Sequence, residues 1–242
     1  MKLSILLAVF AEEEVVAELV KQLADLLGEE IFEIIILISP KSPQKTKDIC
    51  SRLENEYPFL KVHVQREYPG NGLAFREGFS MAEGDYILMM DGDGEMDPHT
   101  VPELVRKIEE TGADMVVASR WAPGGGAEGY DPLKYFLNRG FQVIFGVLFR
   151  TKIHDLTLGF KLMKKEVAKG IIWEAPFQDI GEETTVKPLR AGFRVEEVPT
   201  VWKKRGAGSS TNNFTRNFRY VKLALEVLGT KPEKLLKKGD IS

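Results

Sequence analysis

Cysteine, histidine and long apolar runs are all scarce in this chain, and each scarcity excludes something. Cys50 is the single cysteine among 242 residues. That excludes an intramolecular disulfide framework and a cysteine-based zinc site, and it suits a reducing, intracellular setting. The three histidines show no zinc-ligand spacing. His63 falls in a strand pattern and reads as structural. His99 follows Pro98 in a helix's first turn and is expected to face solvent. His154 adjoins Asp155 and is a candidate substrate contact. No stretch approaches the roughly 20 apolar residues of a membrane span. The nearest is Phe141–Phe149. The apolar start, Lys2 to Phe10, runs into Glu12-Glu13-Glu14 with no small-residue cleavage site, unlike a secretory leader. Excess positive charge is missing too. The net charge is −3 with pI near 5.8, so nothing points to nucleic acid as a partner.

What is present is enough apolar residue, 43%, to bury one substantial core. Apolar runs at Leu3–Phe10, Ile31–Ile38, Lys61–Gln65, Tyr86–Met90 and Met115–Ala118 alternate with amphipathic segments at Glu14–Leu27, Gln44–Glu56, Leu73–Ala82 and Thr100–Glu110. Continuous apolar strands separated by helical periodicity predict an α/β fold with a mainly parallel sheet covered on both faces. Such sheets bind ligands beyond the carboxyl ends of their strands. Later segments predict a helix over Asp131–Arg150, a strand at Phe193–Val198, a polar loop at Lys203–Asn213, a helix at Phe214–Leu228 and a mobile Lys-rich end from Lys231.

The strand at Tyr86–Met90 ends in Asp91-Gly92-Asp93-Gly94-Glu95-Met96-Asp97-Pro98. In an extended chain Asp91, Asp93 and Glu95 project to one side. Carboxylates this close repel, and a cation relieves them. Hard oxygen ligands suit Mg²⁺ or Mn²⁺, which would stabilise a departing diphosphate. A solvated acidic turn accounts for Asp97 as a helix cap and Pro98 in the first turn. It does not account for Asp91 and Asp93 at the mouth of a buried strand. A calcium EF-hand loop fails, because Met96 and Pro102 stand where that loop needs glycine and a bidentate glutamate.

With these segments in view, the chain resembles the family-2 glycosyltransferases of GT-A fold, nearest the dolichyl-phosphate mannose and glucose synthases. The resemblance runs from about Leu3 to Ser210. It rests on the Asp-x-Asp strand end and on Arg66-Glu67-Tyr68-Pro69-Gly70-Asn71-Gly72-Leu73-Ala74. It also rests on Ala118-Ser119-Arg120-Trp121 with Gly124-Gly125-Gly126, on Asn138-Arg139, and on Asp155-Leu156-Thr157-Leu158-Gly159-Phe160-Lys161. Arg190 to Pro199 and Arg205 with Gly208-Ser209-Ser210 complete it. It implies a glycosyltransferase unit over 1–212, with a donor half to about 120, an acceptor half to about 212, and a C-terminal helix and basic tail over 213–242.

The implied activity is inverting transfer of a hexose from a GDP- or UDP-linked sugar to a polyprenyl (dolichyl) phosphate. By the resemblance, Asp91, Asp93 and Glu95 hold the metal, although Glu95 stands where this branch often carries Gln. Glu12, Ser39, Gly70 and Gly72 flank the donor. Arg139, Asp155 and Ser209 face the acceptor, and Arg120, Arg139 and Arg205 meet phosphates. Glu182 and Glu183 sit where related enzymes place an acidic residue near the acceptor. Glu183 would be a general base for a hydroxyl acceptor, whereas a lipid phosphate needs none. The plainer reading of both is an exposed helix start. The run Phe141–Phe149 reads either as core or as one side of an interfacial helix, with Arg139, Arg150 and Lys152 near anionic headgroups. Any membrane contact would then be peripheral, at the cytoplasmic face.

Two departures qualify the resemblance. Ala8-Val9-Phe10-Ala11-Glu12 keeps only the acidic end of the family's first loop. Ser39-Pro40-Lys41-Ser42 lacks the acid that normally helps read the nucleotide. A same-fold transferase acting on a hydroxyl acceptor and a non-catalytic homologue therefore stay open. A nucleotidyltransferase is disfavoured, because Ala8–Glu14 is acidic where such enzymes carry a basic, glycine-rich loop.

Overall fold

The computed structural model describes residues 1–204 and 215–237. Seven strands form one sheet in the order β3-β2-β1-β4-β7-β5-β8. They are β1 (Leu3–Val9), β2 (Ile31–Ile38), β3 (Leu60–Val64), β4 (Tyr86–Asp91), β5 (Met115–Ser119), β7 (Lys161–Lys164) and β8 (Val195–Pro199). All neighbours pair in parallel except β7, which runs antiparallel between β4 and β5. A small parallel pair, β6 (Gly126–Glu128) with β9 (Val201–Lys203), stands apart. The mainly parallel sheet with helices on both faces is the α/β fold that the sequence predicts.

The helices form where the periodicity places them. In α1 (Glu14–Leu27) the buried side chains are Val16, Leu19, Val20, Leu23 and Leu27, one stripe at helical spacing. α2 (Gln44–Glu56) buries Ile49, Cys50 and Leu53, α3 (Asn71–Met81) buries Phe75 and Phe79, and α4 (Val101–Thr111) buries Val101, Leu104, Val105 and Ile108. One apolar cluster fills the α1, α2 and α4 face of the sheet. A second, around Phe75, Phe79 and Trp173, fills the other. Each such side chain contributes roughly 1.5–3 kcal/mol when fully buried.

The second half holds α5 (Pro132–Leu148), α6 (Lys165–Gly170), α7 (Ile180–Ala191) and α8 (Thr215–Gly229). Asp131 caps α5 by accepting a hydrogen bond from the Lys134 N–H at 2.9 Å, and Pro132 occupies its first turn. α7 departs from expectation. Glu182 and Glu183 are fully buried rather than exposed at a helix start. The expected mobile end also differs as far as residue 237. Leu235 is buried, its carbonyl accepts from Ile172 N–H, and Leu236 bridges to Ile171. No helix among the described residues is long and apolar enough to cross a membrane.

Candidate functional site

β4 delivers the carboxylates. Its register against β1 sets Asp91 opposite Ala8, at the carboxyl edge of the sheet. Glu12 lies just beyond β1 and Ser39 directly after β2, so the donor-side candidates from three neighbouring strands emerge along one edge. Burial pushes the Asp91 carboxyl up to about 8, and the charges of Asp93, Glu12 and Glu95 add to the push. The side chain of Asn71, the first residue of α3, hydrogen-bonds Asp91 and opposes that shift. The Asn71 Oδ1 is buried and has no hydrogen-bond partner among the described residues.

Asp93 and Glu95 are turned partly inward. Asp93 Oδ1 accepts the Glu95 N–H at 3.0 Å. Glu95 Oε2 accepts the indole N–H of Trp202 at 3.1 Å, which commits one of the oxygens expected to bind metal. Glu12 Oε2 accepts the N–H groups of Phe10 and Ala11, closing the loop after β1. Ser39 is buried, and its Oγ accepts the Lys41 N–H at 3.2 Å. Asp97 caps the turn over Pro98–Thr100, as its position predicts.

The donor set fits a hard divalent cation in a particular way. Among the described residues no group of three Asp, Glu, His or Cys side chains, the expected Asp91, Asp93 and Glu95 set included, is placed to hold a metal ion by itself. Mg²⁺ is usually held by one or two carboxylates, with substrate phosphates and water supplying the rest. Asp91 and Asp93, whose mutual repulsion a cation would relieve, match that pattern.

Gly70 and Gly72 are required by the chain's own packing. A Cβ at Gly70 would stand 1.9 Å from the Pro176 carbonyl oxygen, and one at Gly72 would stand 2.3 Å from that of Ala175. The close approach is to the chain's own backbone, and φ of +135° at Gly70 independently favours glycine.

Arg120 and Asp155, expected as phosphate and acceptor contacts, are not open to solvent. Both are buried and hold each other. Arg120 Nε donates to Asp155 Oδ2 at 2.7 Å, and Nη2 donates to Oδ1 at 3.0 Å and to Thr157 Oγ1 at 3.0 Å. Burial works against both charges, but the pairing outweighs it. The carboxyl is held below its usual range and the guanidinium above its own. Glu183 is also committed. It accepts from the N–H groups of Glu174 and Ala175 and pairs with Lys187 at 2.6 Å. His154 takes Glu197 as its partner, and His63 takes Glu77.

Arg139 is different. Its guanidinium lies 5.3 Å from the Trp121 ring centre, and among the described residues it has no carboxylate partner. Arg205 and Ser209 lie outside the described residues. Asn71 as a partner of Asp91 emerges only in the structure, although an Asn directly after Gly70 at a helix start is a visible signal. Lys161 and Trp202 likewise emerge only in the structure. Lys161 is a fully buried lysine whose ammonium donates to Gly181 O and Thr185 Oγ1 and is pushed down to about 7 by burial.

The run at Phe141–Phe149 divides between its two readings. Phe145 and Gln142 are buried, whereas Val143, Ile144 and Val147 are 59–72% exposed. Phe136 on α5 and Phe218 and Leu225 on α8 extend the exposed apolar surface.

Comparison with known proteins agrees with this geometry. The chain is 28% identical over 227 residues to a dolichol-phosphate mannosyltransferase of Pyrococcus furiosus, covering 92% of this chain and 62% of that protein. It is 29% identical over 182 residues to a dolichyl-phosphate beta-glucosyltransferase of Trichomonas vaginalis, covering 71% of this chain and 53% of that protein. The chain thus spans less than two thirds of these relatives' length. Among solved structures, glucosyl-3-phosphoglycerate synthase from Mycobacterium tuberculosis, in complex with Mn²⁺, uridine diphosphate and phosphoglyceric acid, superposes with a TM-score of 0.70 at 14% identity. That match covers 94% of this chain and 78% of the synthase. The family profile described as Glycosyl transferase family 2 matches residues 4–172. With that match across most of its length and the sheet ending in Asp91-Gly92-Asp93, the chain belongs to glycosyl transferase family 2.

Proposed function

We propose that this chain transfers a hexose from a nucleoside-diphosphate sugar to a polyprenyl phosphate, with inversion at the anomeric carbon. The observation that carries the reading is the clustering of acids around Asp91. Its half-buried carboxyl at the sheet's carboxyl edge stands beside Asp93, Glu12 and Glu95, whose charges add to the upward push on its pKa. That arrangement suits a divalent cation bound together with a diphosphate. Asp91 and Asp93 would hold Mg²⁺ or Mn²⁺, and the ion would supply charge neutralisation for the leaving diphosphate.

The protein's own groups divide the remaining work. Glu12 and Ser39 border the donor along the same edge. Arg139, with no carboxylate partner among the described residues, meets the acceptor's phosphate, and Arg205 and Ser209 assist it. The acceptor oxygen is already anionic, so the attack needs no general base. This agrees with Glu183 being engaged by two backbone N–H groups and Lys187. The exposed apolar faces of α5 and α8 suit a chain that meets its lipid substrate at a membrane surface. The names of the relatives from Pyrococcus furiosus and Trichomonas vaginalis support the lipid-phosphate acceptor.

The test is a donor screen with GDP- and UDP-linked hexoses in the presence of Mn²⁺ and a short polyprenyl phosphate. Formation of a polyprenyl-phosphate hexose is expected. Calorimetry with the same donors, with and without Mn²⁺, is the companion measurement. Absence of any nucleotide-sugar binding would favour the non-catalytic alternative that the Ser39-Pro40 departure raises. Transfer to a saccharide hydroxyl and none to the lipid phosphate would favour the other.

A further inference from the structure

Trp121 is the meeting point of two arginines and two tyrosines. The Arg120 and Arg139 guanidiniums lie 5.4 and 5.3 Å from its ring centre. Tyr135 and Tyr130 meet it edge-on at 5.0 and 6.1 Å, with interplanar angles of 83° and 84°. Tyr130 in turn meets Trp202 at 5.3 Å, and Trp202 donates its indole N–H to Glu95. A continuous line of contacts therefore runs from the carboxylate segment after β4 to the acceptor helix α5.

The two arginines on Trp121 are not equivalent. Arg120 is fixed by Asp155 and Thr157, so it needs no ring to hold it. Arg139 has no carboxylate anchor among the described residues, and the Trp121 face is the contact that sets where its guanidinium stands. The identity of the ring matters as well. Trp121 is buried, and among the described residues its Nε1 has no hydrogen-bond partner. A buried donor left unsatisfied is unfavourable, and phenylalanine would avoid it. What tryptophan offers instead is the best cation-binding face among the aromatic side chains.

We infer that Trp121 is a positioning residue for the anionic acceptor, acting through Arg139: its ring holds the guanidinium where the acceptor's phosphate is received. This rests on the proposed lipid-phosphate acceptor and adds the residue that orients its binding group.

The test compares the full chain with Trp121→Phe, Arg139→Gln and the double variant, measuring KM for polyprenyl phosphate and for the sugar donor separately. Trp121→Phe, whose smaller ring offers a weaker cation-binding face, is expected to raise the acceptor KM about three- to fivefold and to leave the donor KM within about twofold. In the Arg139→Gln background it should add nothing further. An unchanged acceptor KM, or a full additive effect in the double variant, overturns the inference.

A second measurement keeps the wild-type tryptophan. Of the chain's three indole N–H resonances, one should shift when farnesyl phosphate is added, and the shift should vanish in Arg139→Gln. No indole shift in a chain that transfers sugar to the lipid phosphate overturns the inference alone. A chain that transfers only to hydroxyl acceptors overturns the functional reading, and this inference with it.

Discussion

Arg120 and Asp155 close a buried two-pronged ion pair, and the same carboxylate also accepts the backbone N–H groups of Arg120, Thr157 and Leu158. The segment after β5 is thereby tied to the segment before β7. Removing one partner strands the other charge in the interior. Arg120→Ala is expected to destabilise the fold by about 3–5 kcal/mol, read from urea unfolding. Replacing both by apolar residues of similar size should recover much of that loss. A turnover defect in Arg120→Ala with unchanged stability would instead assign the arginine to substrate.

Asp93→Ala tests the donor end. Turnover should fall on the order of 100-fold or more, as when one transition-state charge stabiliser is removed. The Mn²⁺-dependent increment in donor binding should disappear in calorimetry. Undiminished turnover would sink the metal assignment.

Glu183→Gln separates support from base catalysis. Glu183 accepts from the chain at Glu174 and Ala175, next to the Pro176 carbonyl that faces Gly70. The variant should lose stability through its broken pairing with Lys187, while the shape of its pH–rate profile stays that of the parent. Loss of one limb of a bell-shaped profile would restore the general-base role and with it a hydroxyl acceptor.

Gly72→Ala should be among the most disruptive small changes in the chain. Its Cβ would stand 2.3 Å from the Ala175 carbonyl oxygen and 2.7 Å from the Pro176 carbonyl carbon, both backbone atoms. A loss of about 1–3 kcal/mol follows from the forced backbone shift, measurable as a lowered Tm.

Glu182 gives a pH dependence whose sign is fixed. Burial pushes its carboxyl up to about 10, with Asp179 and Glu183 adding to the push and Lys161 opposing it. Because the folded value lies above the ordinary value of 4.5, the contribution of Glu182 to stability falls as pH rises from about 4.5 through 10. The change is at most about 1.4 kcal/mol per pH unit. Glu182→Gln lacks that loss, so its stability advantage should be small at pH 5 and grow by pH 9. A difference that does not vary with pH would contradict the buried, neutral carboxyl.

The first half of the fold was legible because its periods are strong. Val16, Leu19, Val20, Leu23 and Leu27 spell a helix face, and the apolar run ending at Asp91 spells a covered strand. β7 was not legible, because four residues flanked by lysines, Lys161 to Lys164, carry no apolar period. Nor was α7, which buries Glu182, Glu183, Thr184, Thr185 and Lys187 where a helix pattern would show apolar residues. The carboxylate edge of the site could be read from Asp91 and Asp93. The pairing of Arg120 with Asp155 could not, since residues 35 apart in the chain meet only through the fold.

The antiparallel insertion of β7 governs how the sheet comes together during synthesis. β4 and β5 are complete once residue 119 has been made, yet nothing joins them until Lys161–Lys164 arrive between them. Until then the strand carrying Asp91 has a bare flank of unpaired N–H and C=O groups, open to pairing with other chains. A fragment cut at residue 120 would keep that flank permanently, so the carboxylate-bearing edge cannot be isolated as a well-behaved piece.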